Sequence, residues 1–151
     1  MRAFLLVMLV AAGCGSHEPQ AKVEDNVRAF MRTVAHDITQ DGPAAWRRHF
    51  ADSPAFFMAV DGHLQFPNSA AATSGIQDFA RTIQHIELQW GDDLRVDPLT
   101  LDLAAVATSY HEVMVSTGGH QVDAKGFFTG LAEHRDGRWQ FRNAHWSSAA
   151  P

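Results

Sequence analysis

Residues 136–147, DGRWQFRNAHWS, decide how this chain is read. Asp136-Gly137 is a dipeptide suited to a two-residue hairpin turn, where both positions take positive φ. Arg138 to Ser147 then mixes bulky and polar side chains with no Pro or Gly to interrupt a strand. Period-two alternation puts Trp139, Phe141, Asn143, His145 and Ser147 on one face, and Gln140, Arg142, Ala144 and Trp146 on the other. The first set combines aromatic bulk with convergent polar groups, as ligand pockets do.

Working back from this strand, Val122 to His134 is another, preceded by the turn Gly118-Gly119 and by a strand from Ala104 to Ser116. Glu87 to Leu103 holds one or two more, broken near Gly91-Asp92-Asp93 and at Pro98. Tight hairpins of this kind join antiparallel strands. Further back the period changes. Ile76, Phe79, Ala80, Ile83 and Ile86 form the stripe of a helix, with Ser74 and Gln77 at capping-box spacing after a loop from Pro67 to Thr73. Ala55 to Val60 and His63 to Phe66 pair across Asp61-Gly62. Pro43 to Phe50 makes a short helix with Trp46 and Phe50 one turn apart. Val23, Val27, Phe30, Met31, Val34 and Ile38 mark one face of a long amphipathic helix, ended by Asp41-Gly42-Pro43. Three helices followed by long strands predict an α+β domain, with one strongly curved, mostly antiparallel sheet wrapped against the helices.

That order, closed by an Asp-Gly-x-Trp turn-strand and the His-x-Ser motif His145-Trp146-Ser147, resembles the nuclear-transport-factor-2-like (NTF2-like) superfamily, in its SnoaL-like and DUF4440-type branches. The resemblance spans residues 23–148. It implies a cone with a deep pocket between the helices and the concave sheet face, and often a dimer formed through the convex face. Members include isomerases, cyclases, dehydratases, ligand binders and structural dimers, so the fold does not select a function.

Three functions follow as expectations. The leading one is binding of a small apolar or amphipathic ligand in the cone, lined by Trp46, Phe50, Phe57, Trp90, Trp139, Phe141 and Asn143. The second is an isomerase, cyclase or dehydratase. It needs a tuned base and a donor for developing negative charge. His145 or His111 serves as base, and Tyr110 or Asn143 as donor. The face carrying Val106, Thr108, Tyr110, Glu112 and Met114 competes with the face carrying His111 to line the cone, and parity leaves that choice open. The third is a dimerising interaction module, since one of Phe127 and Phe128 must point to the convex side. Glu112 and Asp123 lie on strands with no neighbouring acid implied.

The start of the chain concerns location. Met1-Arg2, the apolar run Ala3 to Ala12, and Ala11-Ala12-Gly13-Cys14 follow the plan of an export signal. The apolar run is about half the roughly 20 residues a spanning helix needs. Ala-Ala-Gly-Cys resembles a lipoprotein processing box, with Ala11 where Leu is usual. The resemblance implies a signal over residues 1–13, cleavage before Cys14, lipidation of that cysteine, and a tether over residues 14–22. Cys14 is the only cysteine, so it has no intramolecular disulfide partner. No Asp follows it, which by the same resemblance implies the outer membrane, facing the periplasm. The membrane, a small ligand and a second copy of the chain are the expected partners.

The net charge of -5 and the lack of any basic cluster beyond Arg47-Arg48 argue against nucleic acid as a partner. The nine histidines show no zinc-ligand spacing; His111, His120, His134 and His145 lie on successive strands or turns. No phosphate loop or nucleophile elbow occurs, and no cofactor or metal is expected.

Overall fold

A computed structural model describes residues 17–149. Cys14, the signal over residues 1–13 and the first part of the tether lie outside these residues. Helix α1 (His17–Asp41) begins six positions before the expected Val23. Residues 17–22 are therefore helical, where a tether was expected. The stripe falls as read: Val27, Met31, Val34 and Ile38 are fully buried. Gly42 leaves the helix at φ 80°, with its N–H donated to the Ile38 carbonyl at 3.0 Å. A 3₁₀ turn (Pro43–Ala45) runs directly into α2 (Trp46–His49).

Helix α3 (Ser69–Thr82) starts five residues before Ser74, which lies inside it. The cap is Asn68, whose side chain accepts from the Ala71 N–H at 2.9 Å. Asn satisfies an orphan N–H as well as Ser does, and the run Ala70-Ala71-Ala72 has high helix propensity. The expected stripe also ends early: Ile83 and Ile86 belong to the next strand, where Ile86 is fully buried. β-branched side chains suit a pleated, packed surface.

The sheet contains β1 (Phe57–Val60), β2 (His63–Phe66), β3 (Ile83–Trp90), β4 (Arg95–Thr100), β5 (Leu103–Ser116), β6 (Gln121–Arg135) and β7 (Arg138–Ser148). The order is β2-β1-β7-β6-β5-β3, with β4 also on β5. All pairs are antiparallel except β1 with β7. Strands β3 and β4 occupy successive halves of one β5 edge. Asp93 holds the break between them, accepting from the Ser109 N–H and hydroxyl, both at 2.9 Å. Asp93 thus anchors this exposed turn to β5. Asp61 (φ 48°) and Gly62 (φ 79°), and Asp136 (φ 53°) and Gly137 (φ 78°), form the two expected positive-φ turns.

One irregularity matters most. In β7 the register slips between Leu131 and Ala132, which face Asn143 and Phe141 respectively, leaving Arg142 unpaired. The Asn143 side chain fills the gap by accepting from the Leu131 N–H at 3.1 Å. A bulge of this kind inverts alternation downstream. Phe141, Ala144 and Trp146 are buried, whereas His145 is exposed. The expectation that Asn143, His145 and Ser147 share the inner face with Phe141 is therefore corrected.

Chemical denaturation tests this inversion. His145→Ala should change stability by no more than about 0.5 kcal/mol, as at a surface position, and Trp146→Ala should cost about 3–5 kcal/mol. Unbroken alternation from Phe141 requires the opposite ranking.

Candidate functional site

The concave face of β5 carries Val106, Thr108, Tyr110, Glu112 and Met114, which settles the choice left open by parity. Tyr110, Glu112 and Met114 open into a cavity of about 430 Å³. Its other walls come from Trp46 and Phe50 on the short helix and its end, Ile76 and Phe79 on α3, Met58, Val60 and Phe66 on the β1–β2 hairpin, and Val122 and Ala124 on β6. Val122, 50% exposed, stands at the rim. The volume falls within the roughly 300–1,000 Å³ typical of small-molecule pockets.

Trp146 organises the inner wall. Its ring lies 4.8 Å from Tyr110 and 5.4 Å from Trp46, both edge-on, 5.6 Å from Trp90, and 4.8 Å from Phe128. Such offset and edge-to-face pairs stabilise beyond the area they bury. Glycine at position 126 allows Tyr110 to approach. A Cβ there would clash with the Ser147 carbonyl oxygen and meet the Tyr110 hydroxyl at 2.8 Å.

Glu112 was not among the expected catalytic residues, and it is the chemical centre of the cavity. Burial among apolar walls disfavours its charged form and pushes its pKa up to about 7. It takes part in no ion pair or side-chain hydrogen bond among the described residues. No fully buried side-chain oxygen or nitrogen there lacks a partner, so the carboxylate oxygens face the open cavity. Its strand partners are Leu88 and Ala124. Tyr110 is the other titratable side chain lining the space. Burial raises its pKa too, opposed in part by a hydrogen bond with Ser148. Ser148 donates to the Asp61 carboxylate from its N–H and, at 2.9 Å, from its hydroxyl. Those bonds hold Asp61 below the usual carboxylate range.

The remaining expected site residues are dispersed. Trp46, Phe50 and Tyr110 line the cavity. Phe141 is fully buried beneath it, 4.9 Å from Phe30 and 5.1 Å from Phe128. Trp90 backs Trp146 and donates its indole N–H to the Met31 carbonyl at 2.8 Å. Trp139 sits beside His134 at the far end of β7, 5.4 Å between rings. Phe57, Asn143 and His145 lie together on the convex face. His111 is also convex, 2.9 Å from Asp123. The cone cavity thus takes Tyr110 without His111 or His145, although Tyr110 and His111 both border a second, more open cleft of about 490 Å³, and the bulge is why His145 faces away. Phe127 is the convex member of its pair, 42% exposed, while Phe128 is fully buried.

The histidines do not converge: His49 reaches Asp37, His85 reaches Glu87, and His134 approaches Asp102. Among the described residues, no group of three or more His, Cys, Asp or Glu could hold a metal ion, and no helix is long and apolar enough to cross a membrane.

The fold is NTF2-like. An NTF2-like superfamily protein from Salmonella enterica serovar Typhimurium superposes with a TM-score of 0.73 at 12% identity, over 87% of this chain and 94% of that one. A candidate scytalone dehydratase from Novosphingobium aromaticivorans gives 0.70 at 11%, covering 86% of each chain. A type 2 hexachlorocyclohexane dehydrochlorinase (LinA) gives 0.68 at 11%, over 86% of this chain and 87% of that one. At such identities the likeness establishes the fold alone. No protein-family model and no curated protein sequence matches the chain.

The raised pKa of Glu112 makes stability depend on pH. The unfolded glutamate loses its proton near its ordinary value of 4.5, whereas the folded one keeps it to about 7. Between those values the folded state binds more protons, so stability falls as pH rises and levels off above about 7. Urea unfolding at intervals from pH 4 to 8 should show this decline. Glu112→Gln should flatten it and be more stable than wild type above neutrality by on the order of 2 kcal/mol. Parallel curves for the two proteins would contradict the assignment.

Proposed function

We propose that this chain binds a small apolar or amphipathic molecule in its cone. The observation that carries the reading is the open cavity of about 430 Å³, walled mainly by aromatic and aliphatic side chains with Gln65, Glu112 and Ser148 among them. A packed core leaves few voids larger than a water molecule, so an opening of this size among Trp46, Phe79 and Trp146 is suited to a ligand. Tryptophan fluorescence tests it directly, since Trp46 and Trp146 flank the space. Small aromatic ligands should perturb the emission saturably, and Ala124→Phe, which fills the cavity from its outer wall, should weaken binding at least about tenfold, or about 1.4 kcal/mol. An emission spectrum indifferent to every ligand would overturn the reading.

A second reading is favoured by Glu112 itself. A base works best when its pKa lies near the operating pH. In an enzyme of the isomerase, cyclase or dehydratase type, Glu112 takes the place expected of His145 or His111, and the Tyr110 hydroxyl donates to developing negative charge. A generic carbon acid, 5-nitrobenzisoxazole, tests this. The carboxylate removes the ring C–H proton as the N–O bond breaks, releasing a coloured cyanophenolate. Turnover should rise with pH to a plateau above about 7. Glu112→Gln should lower it by at least about 10²-fold; turnover that survives the substitution rules this base out.

We also propose that the domain works at a membrane, anchored by acylated Cys14 in the cell envelope and facing the periplasm from the outer membrane. A second copy would cover the convex face around Phe57 and Phe127, 44% and 42% exposed. Two or more acyl chains give stable anchoring where one does not. Native mass spectrometry of the detergent-extracted full chain checks both: an acylated dimer is expected, and an unmodified monomer contradicts both.

A further inference from the structure

The cone is chemically one-sided. Glu112 can carry negative charge, while among the described residues no Arg, Lys or His lines the cavity. Facing Glu112 from β1, β2, β3, β6, β7 and the helices are only uncharged side chains, and Tyr110 on its own strand is the other titratable group. An anion entering here meets like charge and no counter-ion. A neutral ligand leaves the carboxylate desolvated and unpaired, which is costly. A cation removes that cost. The aromatic walls add a second attraction: Trp46, Trp146, Tyr110, Phe66 and Phe79 present rings whose electron-rich faces attract organic cations. The apolar remainder of the cavity, with Met58, Met114 and Ile76, then takes a hydrocarbon body.

We infer that the ligand of this cone is a lipophilic amine or ammonium compound, its cationic head on the Glu112 carboxylate and its hydrocarbon body against the aromatic walls. This deepens the ligand-binding reading and rests on it. The raised pKa of Glu112 agrees with a carboxylate awaiting a partner cation, and it links binding to pH: the cation should favour the ionised form, so its affinity rises as pH passes about 7.

The test uses three probes with one skeleton, 4-phenylbutylamine, 4-phenylbutan-1-ol and 4-phenylbutanoate, titrated calorimetrically into the wild type and Glu112→Gln. At about pH 8.5, where Glu112 is ionised, the amine should bind wild type at least about tenfold more tightly than the alcohol. The carboxylate should bind weakest. At about pH 6 the preference for the amine should shrink several-fold as Glu112 takes up its proton. Glu112→Gln, close in shape and uncharged, should keep alcohol binding and lose the preference for the amine. If the alcohol binds as well as the amine at high pH, or the preference persists in Glu112→Gln, the cationic assignment is overturned while the ligand-binding cone stands. If none of the three binds, the cone reading falls, and this inference with it.

Discussion

The unpaired Arg142 in β7 is the constraint on which the site depends. One extra residue, bridged by the Asn143 side chain, rotates everything downstream by half a period. Phe141 can therefore close the core beneath the sheet, and Trp146, five positions later, still turns inward. Without the bulge His145 would occupy that place. Trp146 then meets Tyr110, Trp46, Trp90 and Phe128, a set drawn from three strands and the short helix. The cavity wall is thus an extension of the hydrophobic core, and its rings are held by packing on both sides.

Within that wall the decisive interaction is one that is missing. Glu112 stands between Tyr110 and Met114 with no cation to pair with, so its charge is opposed by burial alone. Three other acids contrast with it: Asp93 is held by Ser109, Asp61 by Ser148, and Asp37 by His49 and Arg48. An unsatisfied carboxylate costs stability. Its place in an open pocket gives that cost a use, because a ligand or a proton can relieve it. Binding and proton transfer are therefore two consequences of one arrangement.

Much of the architecture was legible in the residues. The stripe on α1, the Asp-Gly turns at 61–62 and 136–137, the long strands and the α+β order all stand, because periodicity and turn chemistry are local signals. The start of α3 was obscured because Ser69 to Ala72 are small and carry no apolar period, so Asn68 passed as loop. Ile83 and Ile86 continued a helical spacing by coincidence of the strand that follows. The site was less legible. Parity left both faces of the β5 strand open, and what decides between them is its pairing with β3 and β6, which is long-range. A bulge has no signature within 138–147, and that turned His145 into a surface residue. Glu112 did carry a signal: an acid flanked at i−2 and i+2 by Tyr110 and Met114 on one strand face is unusual enough to question. It was read only as an acid with no neighbouring acid, which argued against a carboxylate pair and left its place among apolar neighbours unused.

The most direct test is to watch that carboxylate. Carbon-13 NMR of glutamate side-chain carboxyls, assigned to Glu112 by comparison with Glu112→Gln, follows its protonation. The account requires a midpoint at about 7, moving downward when 4-phenylbutylamine occupies the cone. A midpoint at the ordinary glutamate value of 4.5, unmoved by the amine, would contradict it.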